Sequence, residues 1–201
     1  MKNISFLALS LVLAGCSTGL PIKKYNDLPA EPQAFTLCHG YSCTHKTAAG
    51  FSDAEWNTVL SVFRSNPATT AEAERAKIGK AIAMMEQYAG AKTGTDDDDA
   101  EATGRKRNKM QLDCIDETIN TTHYIGFLQK AGVLKFHEVA DPTHRGYLID
   151  GKWPHNTAVM RDTESGELFV VDSFYRKNGE EPHIMPRAAW LAGWKPPGSK
   201  Q

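Results

Sequence analysis

The sequence carries no surplus of charge of either sign, no membrane-length apolar run and few cysteines. Each absence removes a class of protein. Lys plus Arg total 23 against 24 for Asp plus Glu, so there is no basic excess for a nucleic-acid backbone, whose binding depends on clustered cations. The apolar run Ile4 to Leu13 is shorter than the ~20 residues a spanning helix needs. No H-x-x-x-H or H-E-x-x-H spacing is present, which leaves zinc without support. The acidic run Asp96 to Asp99 lacks the alternating Asp-x-Asp-x-Asp-Gly pattern and distal Glu of a calcium loop. No internal repeat is visible. At 201 residues the chain is long enough for one domain with a proper core, or one domain and a tether.

The N-terminus is more specific. Met1-Lys2-Asn3 is a short cationic segment, and Ile4 to Leu13 suits a secretory h-region. The run ends in Leu13-Ala14-Gly15-Cys16, which resembles a bacterial lipoprotein signal. The resemblance implies removal of residues 1–15, acylation of Cys16 and a bilayer contact through that lipid. Ser17 resembles outer-membrane sorting, which puts the expected location at the periplasmic face of the outer membrane. Residues 16–34, with Pro21, Pro29 and Pro32, have the composition of a linker, and 35–201 are expected to form the domain.

Four cysteines remain to be assigned. Cys16 is taken by the lipid. Cys38 and Cys43 close the short run Cys-His-Gly-Tyr-Ser-Cys, in which Gly40 can supply an unusual backbone angle. In an oxidising envelope a local disulfide between them is expected. Cys114 is then unpaired, and an odd thiol in an exported protein is either buried and inert or reactive.

Periodicity predicts helices first and strands afterwards. Ser52-Asp53-Ala54-Glu55 has the form of a capping box, and Trp56, Val59, Leu60 and Phe63 follow on one helical face. Ser65-Asn66-Pro67 stops that helix. Thr69-x-x-Glu72 repeats the capping pattern, and Ile78, Ala81, Ile82, Met85 and Ala89 form a second stripe ending at Gly90. Asp96 to Asp99 is expected to be a solvated, mobile loop, because adjacent like charges need water. Asp113 is a candidate N-cap for a helix from Cys114 to Lys130 or Ala131, closed by Gly132. Strands are expected at Val133 to Val139 and Gly146 to Ile149, with Asp141-Pro142 as the turn between and Asp150-Gly151 as a hairpin signal. Thr157 to Arg161 and Leu168 to Asp172 flank a hairpin at Glu164-Ser165-Gly166. A short strand spans His183 to Met185, and Pro186 opens a last helical turn whose Trp190 is expected as core or edge cover. The fold class is α+β, an N-terminal helical hairpin and a central cysteine helix packed on an antiparallel sheet.

One set of residues carries the chemistry. A thiol nucleophile acts as a thiolate, usually with a histidine beside it. A helix N-terminus adds its dipole and amides for an oxyanion, and the imidazole needs an orienting partner on its other nitrogen. Cys114 begins a helix, His155 precedes one strand, and Asp172 ends the antiparallel partner. This order, with Trp153-Pro154-His155-Asn156-Thr157-Ala158-Val159 running on to Phe169-Val170-Val171-Asp172-Ser173-Phe174, resembles the papain-like and transglutaminase-like superfamily of thiol enzymes.

The resemblance covers roughly residues 111–176. It implies Cys114 as nucleophile, His155 as general base, Asp172 as its orienter and Gln111 as the nearest oxyanion-hole candidate, although the family usually places such a Gln elsewhere. It implies no cofactor. The function it points to is a cysteine peptidase, amidase or transglutaminase-like acyltransferase. Such an enzyme works through a thioester on peptides, protein side chains or the peptide stems of the cell wall. The alternative is a non-catalytic lipoprotein of the same fold, serving as a binding or structural module. Asp113, Asp116 and Glu117 surround the thiol with negative charge, which opposes thiolate formation. The weight therefore falls on His155.

Overall fold

The cysteine-bearing helix is the element around which the others pack. In a computed structural model, which describes residues 30–102, 108–146 and 154–200, this helix, α3, runs Cys114–Lys130. The signal segment, Cys16, the basic run at Arg105, the strand expected to Ile149, the Asp150-Gly151 turn and Trp153 lie outside the described residues.

Before α3 come three short strands, β1 (Ala30–Glu31), β2 (Ala34–His39) and β3 (His45–Ala49), in one antiparallel sheet of that order. The sheet begins inside the segment expected as linker. Helices α1 (Asp53–Arg64) and α2 (Ala71–Thr93) follow as the predicted helical hairpin. After α3, the strands β4 (His137–Arg145), β5 (His155–Asp162), β6 (Leu168–Asp172) and β7 (His183–Pro186) make a second antiparallel sheet in sequence order, and α4 (Arg187–Leu191) follows. The described residues are therefore α+β. None of their helices is long and apolar enough to cross a membrane.

The predicted stripes are the core. Trp56, Val59, Leu60 and Phe63 of α1 meet Ile78, Ala81, Ile82, Met85 and Ala89 of α2, with Tyr124, Ile125, Phe127 and Leu128 of α3 between them and the second sheet. Ser52 forms the predicted capping box with Glu55. The hairpin strands β5 and β6 are buried on both faces. Ala158, Met160, Phe169 and Val171 turn toward α3, while Val159 and Val170 pack on Trp190. Strand alternation thus divides the sheet into an inner, helix-covered face and an outer face covered by α4.

Four local expectations are corrected. Helix α2 is capped by Thr70, whose hydroxyl accepts the Ala73 amide, rather than by Thr69. It passes through Gly90 and ends at Gly94, which has φ 79°. Gly90 is a contact position instead, since a Cβ there would meet Asn178 Nδ2 at 2.8 Å. Asp141-Pro142 is not a turn. Strand β4 runs through it with a register shift between Ala140 and Thr143, and this edge strand absorbs a residue that cannot donate to the ladder as a bulge. Finally, β4 starts at His137 and not at Val133, because the buried Glu74 carboxylate of α2 takes the amides of Lys135 and Phe136 and the His137 ring.

Candidate active site

Asp113 caps α3 as expected. Its carboxylate accepts the amides of Ile115 and Asp116, and Asp116 returns the bond to the Asp113 amide. Cys114 is therefore the first helical residue. Its N–H sits where no intrahelical acceptor exists, and its partly exposed thiol is the free cysteine of the described residues.

The hairpin delivers the other two members. His155 Nε2 lies 2.8 Å from Asp172 Oδ2, and both side chains are buried. Burial works against the imidazolium, but the Asp172 charge and its hydrogen bond outweigh it and Cys114 adds to them. The result is a pKa raised to about 9. The thiol lies at the same end of the hairpin, where Asn156, the next residue of β5, reaches Cys114 Sγ at 3.7 Å, while His155 Nδ1 is buried without completing a hydrogen bond. The ring is enclosed by Phe174, Tyr175 and Trp190 at centroid distances of 5.0, 5.2 and 5.3 Å.

The acidic crowd around the thiol is compensated by a feature that sequence periodicity did not reveal. Gly40, Tyr41, Ser42 and Cys43 all have positive φ, inside a loop closed by the Cys38–Cys43 disulfide. A run of left-handed residues points successive amides into one concavity that suits an anion. Here the anions belong to the chain itself. Asp116 accepts the amides of Tyr41 at 2.8 Å and Cys43 at 2.6 Å, and Asp113 accepts Ser42 at 3.0 Å. Asn120, two turns along α3, exchanges two further bonds with the Cys38 backbone. Gly40 is needed for its own reasons as well, since a Cβ there would sit 2.5 Å from the His45 ring.

Burial raises the pKa of the other acids near α3. Burial, then the charges of Glu86, Asp98, Asp116 and Asp172, push Glu117 well above the carboxylate range. Burial likewise raises Glu86 to about 7 and, helped by neighbouring carboxylates, Asp98 to about 8. Asp116 is raised by burial and by Asp113 to about 7 against its three amide donors. In such a coupled set, the member with the most donors keeps the charge and Glu117 keeps its proton. The sequence-level objection to a thiolate is therefore much weakened.

Gln111 sits elsewhere in the network. Its amide is taken up by the acidic loop, donating to the Asp97 carbonyl and accepting the Asp99 amide. That loop is correspondingly not fully solvated. Asp98 is buried and accepts the Leu112 amide at 2.6 Å, so it braces the approach to α3.

Two residues escaped the sequence reading. Asn156 Nδ2 donates to Cys114 Sγ at 3.7 Å, and the inward parity of Ala158 and Met160 could have placed it there. Trp190 Nε1 donates to Asp172 Oδ2 at 2.8 Å, a contact with no local signal. Two of the other histidines have structural roles: His39 bonds the Lys109 carbonyl and Thr47, and His137 is fixed by Glu74. Among the described residues, no three His, Cys, Asp or Glu side chains are grouped to hold a metal ion. No family model matches the chain, and neither the curated proteins nor the solved structures contain a match to it.

Proposed function

We propose that this chain is a lipid-anchored thiol enzyme of the cell envelope, of papain-like or transglutaminase-like type, that transfers acyl groups from amide bonds. The observation that carries the reading is the His155–Asp172 pair at 2.8 Å, set beside a free thiol on the first residue of a capped helix. With its pKa near 9, His155 is an imidazolium at neutral pH and favours a thiolate at Cys114. The thiolate attacks the acyl carbon, and His155 protonates the departing amine. The resulting thioester is released to water or to an acceptor amine, whose proton returns to His155. Substrates would be peptides, protein side chains or cell-wall peptide stems, reached from an anchor at Cys16. The disulfide supports an oxidising compartment.

The competing reading, a non-catalytic lipoprotein that binds a partner, draws on one observation, the uncompleted hydrogen bond at His155 Nδ1. Thiol chemistry separates the two. Iodoacetamide should alkylate Cys114 near neutral pH, with an apparent pKa well below the ~8.5 of a free thiol. His155→Ala should raise that value. A thiol that titrates like free cysteine in both proteins would eliminate the enzyme.

A further inference from the structure

We infer that the Asn156 carboxamide is the side-chain donor for the oxyanion formed at Cys114, an assignment that rests on the thiol-enzyme reading above. Sheet parity places it. Ala158 and Met160 of β5 face the core against α3, so Asn156, two residues earlier, projects toward the helix. His155 lies on the outer face with Asp172 and Trp190. One dipeptide at the mouth of β5 thus addresses the thiol from two sides, with a base and with an amide. Asn156 is 6% exposed, and its Nδ2 points at Sγ from 3.7 Å.

The chemistry requires a donor in that position. When Sγ bonds to the acyl carbon, the carbonyl π pair moves onto oxygen, which lies one bond beyond the new S–C bond. Collapse of that oxyanion restores the carbonyl and expels the amine with a proton from His155. A donor aimed at the sulfur from a few ångströms away reaches that oxygen. The Cys114 N–H, at the first helical position, supplies a second donor on the helix side. Gln111, the side chain expected for this task, is committed to the backbone of Asp97 and Asp99.

The merely structural role, in which Asn156 orients the thiol, makes a different forecast, because alkylation by iodoacetamide passes through no oxyanion. The mature protein is treated with p-nitrophenyl acetate, with acetylation of Cys114 confirmed by mass. In parallel it is treated with iodoacetamide, both at the alkaline plateau of rate. Asn156→Ala and the same-shaped Asn156→Asp should lower the acylation rate by about 10²–10³-fold and leave alkylation little changed. Unchanged acylation, or an equal fall in both reactions, overturns the assignment while a reactive wild-type thiol leaves the enzyme intact. A wild-type Cys114 that takes neither reagent removes the enzyme reading and this one with it.

Discussion

Trp190 donates its indole N–H to Oδ2 of Asp172 at 2.8 Å, on the oxygen that also faces His155. The tryptophan is fully buried and is held from behind. The Arg145 guanidinium stacks 4.1 Å over its ring, bonds its carbonyl and reaches the Tyr175 hydroxyl at 3.2 Å. Strand β4, helix α4 and the segment after β6 therefore converge on one carboxylate. Two donors on one oxygen fix the direction in which Asp172 presents itself to the imidazole.

Trp190→Phe keeps most of the ring and deletes the donor. A hydrogen bond to a buried charge is worth about 1.5–3 kcal/mol, so the variant should lose that much stability in urea unfolding. For a domain of this size the loss corresponds to roughly 3–12 °C in Tm. A variant as stable as wild type would show that the bond adds nothing beyond packing.

The His155 ring should titrate near 9 in an NMR experiment, because Asp172, with help from Cys114, overrides burial. Asp172→Asn should bring the midpoint down to the ~6.5 of an ordinary imidazole or below it. The stability consequence has a definite sign. A folded pKa raised above the unfolded value stabilises fully below ~6.5 and loses that contribution as pH climbs through about 9. A wild-type midpoint near 6.5 would contradict the ion pair.

The disulfide loop should matter to the thiol as well as to stability. Cys38→Ser combined with Cys43→Ser releases a short loop, worth about 2 kcal/mol in chain entropy. It also frees Tyr41, Ser42 and Cys43 from left-handed backbone that costs roughly 1–2 kcal/mol per residue. Asp113 and Asp116 then lose loop amides, and their charge is felt at Cys114. The apparent pKa of Cys114, followed by peptide mass after iodoacetamide, should rise in the double variant. An identical pH profile would reduce the loop to a structural clip.

Local signals in the sequence reached the helices, the Ser52 capping box, the Asp113 cap, the hairpin from β5 to β6 and the pairing of His155 with Asp172, because each is written in periodicity, caps or order along the chain. What escaped depends on contacts between distant segments. Nothing near residue 40 announces that its amides serve Asp116, some seventy residues on, or that Trp190 serves Asp172. The edge bulge at Pro142 and the burial of Asp98 are likewise tertiary decisions, in which packing overrides a local turn or charge pattern. Asn156 is the exception. It was readable from strand parity once His155 had been placed at the start of a strand.

Stability should fall as pH rises from mildly acid to mildly alkaline, and Glu117 should be a principal cause. It faces Glu86, Asp98, Asp116 and Asp172, and burial with those charges holds its pKa well above the carboxylate range. The folded state then keeps a proton that the unfolded chain has released above ~4.3. Unfolding is favoured as pH increases, because the native protein binds the extra proton. Each such group contributes up to ~1.4 kcal/mol per pH unit while it stays protonated only in the fold, or roughly 3–6 °C in Tm. Glu117→Gln is neutral at every pH and similar in shape, so it should flatten the decline between pH 5.5 and 8 and exceed wild type in Tm at pH 8. His155 acts with the same sign, but it is present in both proteins and cancels in the comparison. Parallel Tm curves for the two proteins would mean that Glu117 is ionised in the native state, and the compensation around the thiol would then rest on the loop amides alone.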